Sequence, residues 1–152
     1  MPGKHTVFSV VRTFASLLRQ STAPLRVLVV DDDAQVRTFV ERVLRDAGYV
    51  VTAVGSGAEA LDRFVPSVSF AFAVVDVRMK RMSGPTLVQH LRQGDPALKV
   101  LYLTAYNDQL FREKAVLWED EAFLDKPCTV KGLLEAASLL LYGHFRPTSV
   151  PA

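Results

Sequence analysis

Residues 27–37 read VLVVDDDAQVR. Four apolar residues, three of them β-branched, end on three consecutive carboxylates, Asp31, Asp32 and Asp33. A short unbroken apolar run is the pattern of a strand buried on both faces. Like charges repel, and each is costlier the closer it comes to a low-dielectric interior. A strand that delivers three of them to one place therefore points to a cation, or to a reaction that uses them.

Working outward, Arg26 to Val30 is predicted as the first strand. Asp33 is placed to cap a helix on which Val36, Phe39, Val40, Val43, Leu44 and Ala47 recur at helical spacing, with Gly48 as its stop. Tyr49 to Val54 reads as a second strand. Ser56 opens a short helix with Ala60, Leu61 and Phe64, closed by Pro66. Phe70 to Val75 is a third strand, and Thr86 to Arg92 a helix ended by Gly94 and Pro96. Val100 to Leu103 is a fourth strand, and Asn107 or Asp108 caps a helix reaching about Leu117. Ala122 to Leu124 is a brief fifth strand. Thr129 caps a last helix with Val130, Leu133, Leu134, Ala137, Leu140 and Leu141 on its apolar face. This is βα repeated five times. It implies an α/β doubly wound fold, a five-stranded parallel sheet with helices on both faces. In such sheets the ligand lies beyond the carboxyl ends of the strands.

The chain has 152 residues, 49% hydrophobic and 22% charged, which suits one packed domain with short tails. A net charge of +2 is too small to argue for nucleic acid or an anionic membrane, and no stretch is long and apolar enough to span a bilayer. A single cysteine, Cys128, excludes an internal disulfide framework and a cysteine zinc site. His5, His90 and His144 are scattered. The domain is expected over residues 25–141, with an extension at 1–24 and a tail at 142–152. Residues 1–26 carry Lys4, Arg12, Arg19 and Arg26 and no acid. There Val7, Val10, Val11, Phe14, Leu17 and Leu18 share a helical face. That pattern fits a surface helix, an amphipathic membrane-touching segment, a targeting-like stretch or an extension of little function.

The carboxyl ends of the predicted strands collect one chemistry. The first ends in Asp31, Asp32 and Asp33, and the third in Asp76, from FAVVDVRM. The fourth ends in Thr104, from VLYLTAY, and the fifth in Lys126, followed by Pro127, from AFLDKP. Clustered carboxylates suit a hard divalent cation, and Mg²⁺ takes one or two of them while sharing oxygens with phosphate. A neighbouring carboxylate can act as a nucleophile toward phosphorus. A cationic lysine and a hydroxyl can hold the remaining phosphoryl oxygens.

VLVVDDDAQVR, FAVVDVRMKRMSG, VLYLTAY and AFLDKP, in that order, resemble the receiver domain of two-component response regulators over about three quarters of the chain. The resemblance implies the flavodoxin-like strand order 2-1-3-4-5, in a cytoplasmic single-domain signalling protein rather than an enzyme. It implies that Asp76 is the phosphoacceptor and that Mg²⁺ is the cofactor. Asp32 and Asp76 would be direct metal ligands, Asp31 would act more through water, and the backbone carbonyl of Arg78 would complete the protein's share. Thr104 and Lys126 would contact the phosphoryl group. Phe123 stands at the aromatic switch position, and the Lys126–Pro127 bond is expected to be cis. A sensor histidine kinase or a histidine phosphotransfer protein is the implied donor. Arg78 and Tyr106 flank the pocket and are expected to gate water, giving slow autodephosphorylation. Two positions depart from the family. Lys80 replaces a common proline, and Trp118 replaces a small residue, where it would pack on the fifth strand or anchor a partner.

Two other readings use the same residues. In haloacid-dehalogenase-type phosphatases Asp31 would be the nucleophile and Asp33 the acid–base, with Thr104 and Lys126 on phosphate. That chemistry needs a further acidic pair after the lysine, where only Glu135 stands, and it leaves Asp76 without a role. The other is a phosphorylation-independent interaction module on the receiver fold, against which intact Asp76 and Lys126 argue.

Overall fold

A computed structural model describes residues 23–105 and 120–143. Five strands, β1 (Arg26–Val30), β2 (Val50–Val54), β3 (Phe72–Asp76), β4 (Lys99–Thr104) and β5 (Glu121–Asp125), form one parallel sheet in the order β2-β1-β3-β4-β5. Four helices accompany them among the described residues: α1 (Ala34–Asp46), α2 (Gly57–Arg63), α3 (Gly84–Gly94) and α4 (Val130–Tyr142). The expected fold and strand order are therefore observed. The predicted helix from Asn107 or Asp108 to Leu117 lies outside the described residues, as do Tyr106, Trp118, residues 1–22 and the tail from residue 144.

Side chains alternate across each strand, so one sequence feeds two cores. Val27, Val29, Phe72, Val74, Leu101 and Leu103 pack with Val40 and Leu44 of α1 and Leu133 and Ala137 of α4. Leu28, Val30, Ala73, Val75, Val100 and Tyr102 pack with Ala60 of α2 and Leu87 and Leu91 of α3. β3 is buried along its whole length, as a central strand covered on both faces must be.

The helix starts follow local chemistry. Asp33 caps α1, its side chain accepting from the Gln35 and Val36 N–H groups. Ser56 caps α2 and Thr129 caps α4 in the same way. Gly48, just past α1, has φ +98°, which a glycine adopts without steric penalty. Most boundaries fall within a residue or two of expectation, and two starts differ for identifiable reasons. α3 begins at Gly84, capped by Ser83, because Pro85 sits in the first turn, where its missing N–H is not needed. β3 begins at Phe72 rather than Phe70. Phe70 is buried by stacking on Phe64 at 5.9 Å, outside the strand ladder.

Candidate functional site

The register sets the site. Val30 pairs with Val75 across β1 and β3, so one step further Asp31 and Asp76 stand side by side, both with the parity of the face covered by α1 and α4. This is where the strand order reverses, between β1 with β2 on one side and β3 on the other. Asp31 is fully buried and Asp76 is 5% exposed. One carboxylate oxygen from each of Asp31, Asp32 and Asp76 can be chosen so that all three lie within 4.8 Å of one another.

Each carboxylate is held differently. Asp31 Oδ1 accepts from the Asp33 N–H at 2.9 Å. Asp31 Oδ2 is buried with no aligned hydrogen-bond donor among the described residues; its ion-pair partner is Lys126 Nζ, 2.9 Å away. Asp32 Oδ2 accepts from the Lys80 N–H at 3.1 Å. Asp76 Oδ1 accepts from the Arg78 N–H at 3.3 Å and lies 3.3 Å from Lys126 Nζ. Lys126 comes from the loop after β5, through a cis bond to Pro127, and its N–H donates to the Thr104 carbonyl at 2.8 Å.

The electrostatics follow from this crowding. Burial, and then the Asp31 charge beside it, push the Asp76 carboxyl from its ordinary 3.8 up to about 6, against the opposing pull of Lys126 and the Arg78 N–H. Burial disfavours the Lys126 ammonium, but Asp31 and Asp76 outweigh it and raise its pKa. Burial likewise raises the pKa of the Cys128 thiol. Three carboxylates that can each bring one hard oxygen within 4.8 Å of the others fit a small divalent cation that keeps several waters.

Thr104 and Phe123 belong to the opposite face of the sheet. Thr104 is paired with Asp125, and its hydroxyl donates to Asp125 Oδ1 at 3.0 Å. Phe123 is half-buried, its ring stacked on Tyr102 at 5.2 Å. Asp31, Asp32 and Asp76 are thus gathered at one place, with Lys126 paired to Asp31 and Asp76, while the Thr104 hydroxyl is engaged with Asp125. Asp33 accepts the Gln35 and Val36 N–H groups on one carboxylate oxygen, the helix-cap role expected of it.

Four contributors were not anticipated. Arg37 Nη1 donates to the Asp31 carbonyl at 2.7 Å and ties α1 to the end of β1. Gly84 packs against the backbone of Asp76: a Cβ there would collide with the Asp76 carbonyl oxygen. The Lys80 N–H holds Asp32, and Asp125 holds Thr104. Lys80 was singled out as a replacement for a common proline, not for its main-chain N–H, and nothing in FAVVDVRMKRMSG marked the role of Gly84.

Residues 27–138 match the family model for the response regulator receiver domain. The chain is 34% identical over 116 residues to the sensor kinase CckA of Brucella abortus (strain 2308), covering 76% of this chain but 12% of the kinase. It is 28% identical over 116 residues to the response regulator receiver protein CpdR of the same organism, covering 76% of this chain and 96% of CpdR. A solved response regulator receiver protein from Sinorhizobium medicae WSM419 superposes with a TM-score of 0.69 at 30% identity, covering 80% of this chain and 97% of that one. The matched unit is nearly all of CpdR and a small part of CckA.

Proposed function

Because the chain belongs to the response regulator receiver domain family, we propose that Asp76 accepts a phosphoryl group and that the phosphorylated domain signals by binding a protein or passing the group on. Receiver domains of two-component systems are signalling domains that take phosphoryl groups from histidine kinases and generally bind Mg²⁺. The observation that carries the proposal for this chain is the convergence of Asp31, Asp32, Asp76 and Lys126 at one end of the sheet.

In the proposed reaction an Asp76 carboxylate oxygen attacks phosphorus in line. A P–O bond forms, the P–N bond of a phosphohistidine breaks, and its electron pair returns to the imidazole nitrogen. Lys126, already against Asp76 Oδ1, turns to the new phosphoryl oxygens. Asp31 and Asp32, with the Arg78 carbonyl, would hold Mg²⁺, which when bound neutralises phosphoryl charge. The Thr104 hydroxyl donates to another phosphoryl oxygen, and Phe123 follows the space it vacates, remodelling the surface around β5. Arg78 and Tyr106 gate attacking water and lengthen the phosphoryl lifetime. The domain is assigned to residues 25–141, flanked by the extension 1–24 and the tail 142–152. A histidine kinase or histidine phosphotransfer donor, charged from ATP, places it in the cytoplasm. No described helix is long and apolar enough to cross a membrane.

The test uses phosphoramidate, a small P–N donor. Wild type should gain one phosphoryl group with Mg²⁺ and none with EDTA, and Lys126→Ala should lose phosphorylation-dependent changes in its NMR spectrum. Metal-independent uptake would overturn the proposal.

A further inference from the structure

Thr104 and Asp125 are the last cross-strand pair of β4 and β5. Thr104 is 7% exposed, and its hydroxyl donates to Asp125 Oδ1 at 3.0 Å. An ionised carboxylate only accepts, so this bond takes the single proton that the hydroxyl owns. A phosphoryl oxygen also only accepts. Thr104 therefore cannot donate to Asp125 and to a phosphoryl group on Asp76 at the same time. The preceding pair on the same sheet face is Tyr102 and Phe123, whose rings are stacked, so the hydroxyl bond sits one step ahead of the aromatic pair. Asp125 also directly precedes Lys126, whose N–H is fastened to the Thr104 carbonyl.

From this juxtaposition we infer that Asp125 is a competing acceptor, which holds the Thr104 hydroxyl in the unphosphorylated protein and sets the threshold for its switch. The inference rests on Asp76 being the phosphoacceptor. Asp125 touches no reacting atom; it acts through Thr104 as a positioning residue. The phosphoryl group gains the hydroxyl only by breaking the existing bond, so the free energy of that bond is subtracted from its preference for the switched state. Asp125 itself is exposed, and water replaces the lost donor at little cost.

Fluoroberyllate with Mg²⁺, an unreactive mimic of a phosphoryl group on aspartate, tests this on the full chain. A net hydrogen bond of about 1 kcal/mol corresponds to about fivefold, so Asp125→Ala should bind fluoroberyllate about fivefold more tightly than wild type. Asp125→Asn keeps an acceptor oxygen without the charge and should stay within about twofold of wild type, since the exposed charge itself is screened. In a Thr104→Ala background, Asp125→Ala should change affinity by less than about twofold, because the coupled partner is gone. In metal-free, unliganded protein the Thr104 side-chain NMR signals should move in Asp125→Ala and stay near wild type in Asp125→Asn. Equal tightening by Ala and Asn, or no tightening by Ala, would overturn the inference while leaving Asp76 as acceptor. A wild type that takes up no fluoroberyllate would overturn the phosphoacceptor reading, and the inference with it.

Discussion

Replacing Asp76 by Asn should make the metal-free protein more stable, by an amount that grows with pH. The Asp76 carboxyl is pushed from 3.8 up to about 6 in the folded protein, first by burial and then by Asp31. A carboxyl whose folded pKa is raised binds its proton more tightly in the folded than in the unfolded state. Its favourable contribution is fully present below about pH 4 and is lost as pH rises through about 6. Each pKa unit is about 1.4 kcal/mol, so the ionised side chain costs on the order of 3 kcal/mol at neutral pH. Water reaching the open side of the cleft lowers this to about 1–2 kcal/mol. Asn has nearly the same shape and never ionises, and Lys126 retains its 2.9 Å partner Asp31 in the variant. Urea unfolding of wild type and Asp76→Asn in EDTA should therefore give nearly equal stabilities at pH 4 and a gap of about 1–2 kcal/mol in favour of Asn at pH 8. Mg²⁺ should close the gap by stabilising wild type more than the variant. An Asp76→Asn variant no more stable than wild type at pH 8 without metal would refute this account of the site's electrostatics.

Gly84→Ala should cost about 1–3 kcal/mol and abolish phosphoryl uptake, because its Cβ would collide with the Asp76 carbonyl oxygen and must displace the Asp76 backbone; denaturation and phosphoramidate labelling measure the two effects. Asp33→Ala should lose about 0.5–2 kcal/mol of stability with Mg²⁺ affinity intact, whereas Asp32→Ala should lose Mg²⁺ affinity with little change in stability. Calorimetry and urea unfolding separate the two roles, and equal Mg²⁺ affinities would contradict them. Lys80→Pro removes the N–H that Asp32 Oδ2 accepts. With the competing donor gone, Mg²⁺ should bind up to about fivefold more tightly in calorimetry, and weaker binding would mean that the bond orients Asp32 instead.

What the sequence disclosed, and what it did not, divides along physical lines. The strands were legible because apolar runs report burial on two faces, and the caps at Asp33, Ser56 and Thr129 because a short polar side chain before an apolar period has one common use. Phe70 misled because tertiary stacking on Phe64 buries an aromatic as completely as a strand would. The start of α3 was obscured because Gly84 and Pro85 have loop composition, although proline is at home in a first turn. Asp31, Asp32, Asp76 and Lys126 were legible because they are side chains at strand ends. The donors that hold them were not: the N–H groups of Asp33, Arg78 and Lys80 are main-chain atoms that nearly every residue type carries. Asp125 was hidden for another reason. An acid beside Lys126 reads as a solvated strand end until the register pairs it with Thr104.

The most direct test of the central claim is peptide mapping by mass spectrometry after incubation with a small phosphodonor and Mg²⁺. A single acid-labile, hydroxylamine-sensitive phosphoryl group on Asp76, absent from Asp76→Asn, is the predicted result. Stoichiometric labelling of Asp76→Asn, or a phosphoryl group carried by any other residue of the wild type, would contradict it.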